Sequence, residues 1–297
     1  MNNKTNPFTE IIGQHTAKLL LTEAIEHNKI APAYLFTSEI EGVGKTKTAL
    51  AFANTIVGEN HLDVLHIKPT SSRSLLEGTS PRQLLCENTS QQKGIPTIRV
   101  EQIREVIEFL STSAINSNQK VVIIHSCDML HPSAANTLLK TLEEPKTGTF
   151  IVISSHPQKL LPTIKSRCQI IPFHRLTDEE VVSVIKNQQI ELTQEILAIS
   201  EGSPGRGIAH IKMLSSIPKA IVSQLEVPPS DILSALSLSN SISSWNHETQ
   251  LWLLTYLQHN WWKKLQNTQL LAKFTQARNQ LLYHVNPRSV WDSLLLP

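Results

Sequence analysis

Ala33-Tyr34-Leu35-Phe36-Thr37-Ser38-Glu39-Ile40-Glu41-Gly42-Val43-Gly44-Lys45-Thr46 decides the fold. A short apolar run enters a glycine-containing turn. Beyond it Ala49, Leu50, Ala53, Ile56 and Val57 recur at helical spacing, and Gly58 stands where a helix-ending glycine belongs. Strand, Gly-x-Gly-Lys-Thr turn and amphipathic helix together make the context of a phosphate loop. Such a loop needs backbone N–H groups turned inward at a helix N-terminus, a lysine for the β- and γ-phosphates, and a hydroxyl for magnesium. Gly42, Val43, Gly44, Lys45 and Thr46 supply those types. The full pattern asks for glycine at position 39, where Glu39 stands. A carboxylate there repels a polyphosphate, and glutamate tolerates positive φ poorly. The phosphate-loop ancestry is legible. Two expectations stay open: a loop that holds nucleotide, and a loop kept as a structural relic.

Outward from this stretch, strands and helices alternate. Val64–Ile67 reads as a second strand, and residues 68–97, rich in Ser, Thr and Gln, read mostly as loop with a short helix near Pro81 to Leu85. Ile103, Val106, Ile107 and Leu110 mark one helix face, Val121–Ile124 a strand, and Ala134, Ala135, Leu138, Leu139 and Leu142 a helix stopped by Pro145. Phe150–Ile153 is a further strand, and Leu160–Ile164 a short helix with Pro162 near its start. Strands apolar on both faces, alternating with helices, predict a parallel α/β sheet.

After Phe173 the strands stop. Thr177-Asp178-Glu179-Glu180 is a capping box, Glu195 to Ser200 a short helix ended by Gly202, and Ser203-Pro204 an N-cap followed by a first-turn proline. Val227-Pro228-Pro229-Ser230 reads as a linker ending in an N-cap. The tail is helical through Leu251, Leu254, Leu257 and Trp261, then Leu270, Phe274, Ala277 and Leu281. All 5 tryptophans lie between positions 245 and 291. This shift in composition divides the chain into 1–175, a small helical unit 176–218, and an all-α domain 219–297.

Composition excludes several classes. Lys and Arg total 27 against 25 Asp and Glu, a net charge of +2, too small to coat nucleic acid by charge alone. Runs such as Val121–Ile124 fall far below the ~18 residues of a membrane span, and Met1–Pro7 lacks the apolar core of a signal peptide. Three cysteines, at 86, 127 and 168, are too few and scattered for a disulfide framework or a four-cysteine zinc site. A soluble protein of a reducing compartment, with no bound metal, is the expectation.

A hydrolysing site needs carboxylates directly after the apolar strand, one for magnesium and one to activate water. Here Val121–Ile124 runs into His125-Ser126-Cys127-Asp128, so only Asp128 remains, three residues on. Neutral imidazole is a poor magnesium ligand. His125 is read as closing the strand end, and Cys127 as a small buried residue without chemistry.

With these segments in place, the sequence resembles the delta-prime family of bacterial DNA polymerase III clamp-loader subunits, within the AAA+ superfamily. The resemblance is carried by Phe8-Thr9-Glu10-Ile11-Ile12-Gly13-Gln14, by Ala33–Phe36 (preceded by Pro32 where the family usually has His), by Ala134–Pro145, and by Leu160–Cys168 with its Ser-Arg-Cys ending. Glu201-Gly202-Ser203-Pro204-Gly205-Arg206 resembles the sensor-2 turn. Past about 220 the likeness is in length and helicity only.

The resemblance implies an AAA+ module, a helical lid and a collar domain that joins a ring with gamma/tau and delta subunits. That ring loads the sliding clamp on primed DNA in the bacterial cytoplasm. It implies that Arg167 reaches into a neighbouring subunit's ATP site as an arginine finger, and that Arg206 faces nucleotide. ATP or ADP in the chain's own loop is compatible with it, without turnover. Many family members carry four zinc-binding cysteines between the first helix and the next strand. Here Glu59–Asp63 leaves neither cysteine nor room, and His61 and His66 alone make no zinc site. The broken magnesium strand suits a subunit that completes a partner's site. The competing readings are an ATP-hydrolysing motor subunit using Lys45 and Thr46, and a stand-alone AAA+ repair adaptor.

The tail has Lys263, Lys264, Lys273, Arg278 and Arg288 and no acid between 249 and 291. Basic residues beside Trp261-Trp262 are compatible with nucleic acid. Their helical spacing favours a partner-facing collar over a plain core of the chain's own or direct DNA contact, since buried tryptophans pack helices and interfaces.

Overall fold

Burial on both faces of its strands organises the first part of the chain. The structure, a computed structural model, describes residues 7–58, 61–71, 96–115, 117, 119–143 and 148–296. The expected helix near Pro81 to Leu85, Cys86 and Pro145 lie outside the described residues. Five strands, β1 (Ala33–Thr37), β2 (Val64–Ile67), β3 (Lys120–Ile124), β4 (Gly148–Ser154) and β5 (Gln169–Pro172), form one parallel sheet in the order β2-β3-β4-β1-β5. Alternate residues serve opposite faces. Ala33, Leu35, Val122, Ile124, Phe150 and Val152 join one core with Ile103, Val106, Leu110, Leu138 and Leu142 of α3 (Val100–Ser111) and α4 (Pro132–Glu143). On the other face Tyr34 meets Phe52 of α2 (Lys45–Val57) edge-on, with ring centroids 5.1 Å apart, and Phe36 meets Phe173. Burying each such aromatic is worth roughly 2–3 kcal/mol. In β1, β3 and β4 neither face meets water, which is why these strands read as apolar runs rather than alternations.

Two elements carry little mark in the sequence. Helix α1 (His15–Glu26) starts from Gln14 in the left-handed conformation with no side-chain cap. Strand β5 is a short edge strand in which only Ile171 is fully buried, so no alternation announces it. In α3, Ile107 was expected on the buried face but is 41% exposed, because the stripe narrows to Ile103, Val106 and Leu110.

The chain falls into two units, Met1–Leu176 and Thr177–Pro297. The second is helical: α6 (Asp178–Lys186), α7 (Gln194–Ile199), α8 (Pro204–Ser216), α9 (Lys219–Gln224), α10 (Ile232–Ser243), α11 (His247–Leu265), α12 (Thr268–Leu282) and α13 (Pro287–Leu295), preceded by α5 (Pro162–Lys165) in the first unit. Thr177 and Glu180 form the expected capping box, and Ser203 caps α8 ahead of Pro204. Asp231, not Ser230, caps α10, accepting from Leu233 N and Ser234 N. One core runs through this unit, from Ile196 and Ile199 to Leu254, Trp261, Leu281 and Trp291. Three indoles find partners inside it: Trp252 donates to His210 Nδ1 at 2.8 Å, Trp261 to Leu225 O at 2.8 Å, and Trp291 to Gln250 Oε1 at 2.9 Å. The tryptophans expected to face a partner are therefore mainly core residues, and Trp262 is the one classed among the exposed large apolar residues. Among the described residues no helix is long and apolar enough to cross a membrane, and no three His, Cys, Asp or Glu side chains gather as a metal site.

His125 continues the sheet one residue past β3, its amide donating to Ile67 O at 2.9 Å, and its ring stacks on His66 at 5.6 Å. Burial, then the nearby charges of His66 and Lys68, push its pKa from 6.5 down to about 4. The folded chain thus keeps His125 neutral while the unfolded chain protonates it. The associated stability is whole above pH 6.5 and is lost as pH falls towards 4, by about 1–3 kcal/mol in total. In His125→Gln, urea midpoints measured across this range should fall less steeply with acid than in the parent chain. Parallel slopes would show that His125 titrates normally.

Candidate functional site

The loop between β1 and α2 sits at the carboxyl ends of the strands, where open α/β sheets bind ligands. Two glycines turn it: Gly42 has φ 76° and Gly44, the N-cap of α2, φ 102°. Glu39 is not among the residues with positive φ, and its side chain is exposed. The backbone strain expected of Glu39 is absent because Gly42 and Gly44 make both turns. Val43 is buried, and its carbonyl accepts from Gln14 Nε2 at 3.1 Å. Gln14 also donates to His174 O at 2.7 Å and accepts from His174 N at 3.0 Å, tying the loop to the chain just past β5. The sequence offered Gln14 only as part of an opening motif.

Lys45 is 5% exposed. Its ammonium donates to Ser38 Oγ, to Ile40 O at 3.0 Å and to Ser155 Oγ at 3.0 Å. Burial lowers its pKa from 10.5 to about 8, against the opposing pull of Glu41 and Asp128. Three oxygens of the chain thus occupy the donors that a phosphate would need. Thr46 is exposed at the first turn of α2.

At the end of β3 the two carboxylate positions hold His125 and Ser126, the latter in the left-handed conformation at φ 49°. Asp128, the remaining acid, is committed elsewhere. Its side chain is 5% exposed, with Oδ1 accepting from Ser154 Oγ at 2.9 Å and Oδ2 paired with His156 Nδ1 at 3.0 Å. Residues of this kind do not fit magnesium, which needs free oxygen ligands. Sequence reasoning missed His156 and Ser155, because they follow β4 and meet Asp128 and Lys45 only through the sheet order. Cys127 and Cys168 are buried free thiols whose pKa values burial raises, to about 11 at Cys168, so neither is poised as a nucleophile.

Arg167 follows the single turn of α5 and is exposed. Its Nη1 donates to Thr163 O at 3.1 Å and its Nη2 to Glu143 Oε1 at 2.6 Å. It is thus held by Thr163 of α5 and Glu143 of α4, not turned to the loop at Lys45. In the second unit Arg206 begins α8 and pairs with Glu201 at 2.7 Å. Both arginines singled out in the sequence are held by carboxylates of their own unit.

The matches with known proteins divide as the structure does. A model described as "DNA polymerase III, delta subunit" matches residues 13–177, and one described as "Cyanobacterial DNA polymerase III delta prime, C-terminal domain" matches residues 177–297. DNA polymerase III subunit delta' of Pseudomonas aeruginosa is 32% identical over 169 residues, covering 52% of this chain and 51% of that protein. DNA polymerase III subunit tau of Bacillus subtilis is 33% identical over 198 residues, covering 66% of this chain and 33% of the relative. The chain spans about half the length of the curated delta' relatives it matches. A DNA polymerase III gamma-subunit-related protein of Thermotoga maritima shares the fold, with TM-score 0.57 and 15% identity over 94% of this chain and 97% of that one. With more than half of its residues matched by the first model and residues 177–297 by the second, the chain belongs to the delta-prime family of DNA polymerase III subunits.

Proposed function

We propose that this chain is a clamp-loader subunit that does not turn over ATP and instead supplies Arg167 to a neighbouring subunit's ATP site. It does so within a ring with gamma/tau and delta subunits that places the sliding clamp on primed DNA in the bacterial cytoplasm. The observation that carries the reading is Lys45. A lysine held by Ser38, Ile40 and Ser155 is part of the fold, and Asp128, the acid left past the end of β3, is taken up by Ser154 and His156. The two positions after β3 that would hold magnesium and activate water carry His125 and Ser126, which supports assigning no hydrolytic step to this chain.

Arg167 has the character that the trans role needs. It is at the surface, stands just past the end of a short helix, and is a guanidinium. Planar, bidentate donors at developing phosphoryl charge are worth about 10³–10⁵ in rate. Helices α6–α8 then correspond to the lid and α9–α13 to the collar. Exposed Trp262 and Leu265 at the end of α11, and Leu282 and Tyr283 at the end of α12, lie in a stretch without acids and offer the collar apolar contacts for its neighbours.

In a complex reconstituted with gamma/tau, delta, clamp and primed DNA, Arg167→Ala should leave assembly intact and lower both ATPase and clamp loading. The loss should reach about 10³-fold only at the one site it serves, because other sites keep their own arginines. Arg167→Lys should restore part. Unchanged activity in a stably assembled Arg167→Ala complex would leave the chain a passive scaffold.

The isolated chain should not move its Lys45 titration when magnesium and ATP are added. By NMR the ammonium is expected to titrate near 8 rather than 10.5, and a triphosphate beside it would drive that value upward. An upward shift, or turnover abolished by Lys45→Ala, would favour the motor reading.

A further inference from the structure

We propose that Glu143 is a positioning residue that holds Arg167 back against its own subunit and sets how readily the arginine reaches the neighbour's nucleotide. The proposal rests on the trans role of Arg167 given above.

Two contacts fold the guanidinium inward. Thr163 O, four residues earlier, accepts from Nη1, and Glu143 Oε1 accepts from Nη2. Together they curl the side chain back over the turn of α5 and the end of α4. An arginine in this state has to give up both partners before it can meet a phosphate elsewhere.

Glu143 is the last described residue of α4, and its charge meets Arg167, 24 positions along the chain.

The solvent exposure of the pair sets its strength. The side chains of Arg167 and Glu143 are 34% and 51% exposed, which places them among surface ion pairs, screened and individually weak. A pair of this class biases its partners by roughly two- to fivefold. That suits a restraint which a neighbour's triphosphate can overcome. A buried pair would hold the arginine permanently, and no pair would leave it disordered.

The test is the ATP dependence of ATPase in the reconstituted complex, with clamp and primed DNA, for the parent chain, Glu143→Gln, Arg167→Ala and the double variant. Glu143→Gln should lower the half-maximal ATP concentration by about two- to fivefold, and Glu143→Ala should do the same. Salt should produce a similar shift in the parent chain and little in either Glu143 variant. With Arg167 already alanine, removing Glu143 should change nothing. A half-maximal concentration that stays the same or rises in Glu143→Gln overturns the proposal, as does an equal shift in the Arg167→Ala background. If Arg167→Ala itself is without effect, the trans role fails. If Arg167→Ala is impaired while Glu143→Gln matches the parent, only the restraint fails.

Discussion

The ammonium of Lys45 ties the ends of two neighbouring strands together. Its partners come from the loop after β1, through Ser38 and Ile40, and from the residue after β4, through Ser155. A buried charge without partners costs several kcal/mol, and here three oxygens meet it. The loop geometry follows from that arrangement. Gly42 and Gly44 make the turns that bring Lys45 inward, and Gln14 clamps Val43 from the far side. Asp128 lies close enough to influence the lysine but is itself satisfied by Ser154 and His156.

Much of this fold was legible in the sequence, for physical reasons. β1, β3 and β4 are covered on both faces and had to be continuous apolar runs. The caps at Thr177 and Ser203 announce their helices because unsatisfied N–H groups need a side-chain oxygen. β5 was not legible, since an edge strand with two exposed residues need not alternate. Nor was α1, which begins without a side-chain cap. The tryptophans misled for a related reason: concentration in one stretch does not say which face they occupy, and three of them donate to acceptors inside their own unit.

The candidate site was half legible. Gly42, Gly44, Lys45 and Thr46 mark the loop, and the missing carboxylates at 125 and 126 mark its limitation. What the sequence could not supply was the set of partners from distant positions. Ser155 and His156 stand more than 100 residues after the loop, and only the β4-β1 pairing brings Ser155 to Lys45. Glu39 was misjudged because the strain was assigned to the wrong residue of the turn.

Under the proposed function, this chain acts through Arg167 on a neighbour and not through Lys45 on a nucleotide of its own. The most direct measurement is the structure of the assembled complex on primed DNA with a non-hydrolysable ATP analogue. The account predicts Arg167 released from Glu143, its guanidinium within hydrogen-bonding distance of the terminal phosphate in the adjacent subunit, and Lys45 still bonded to Ser38 and Ser155. Nucleotide bound at Lys45, with Arg167 still paired to Glu143, would contradict it.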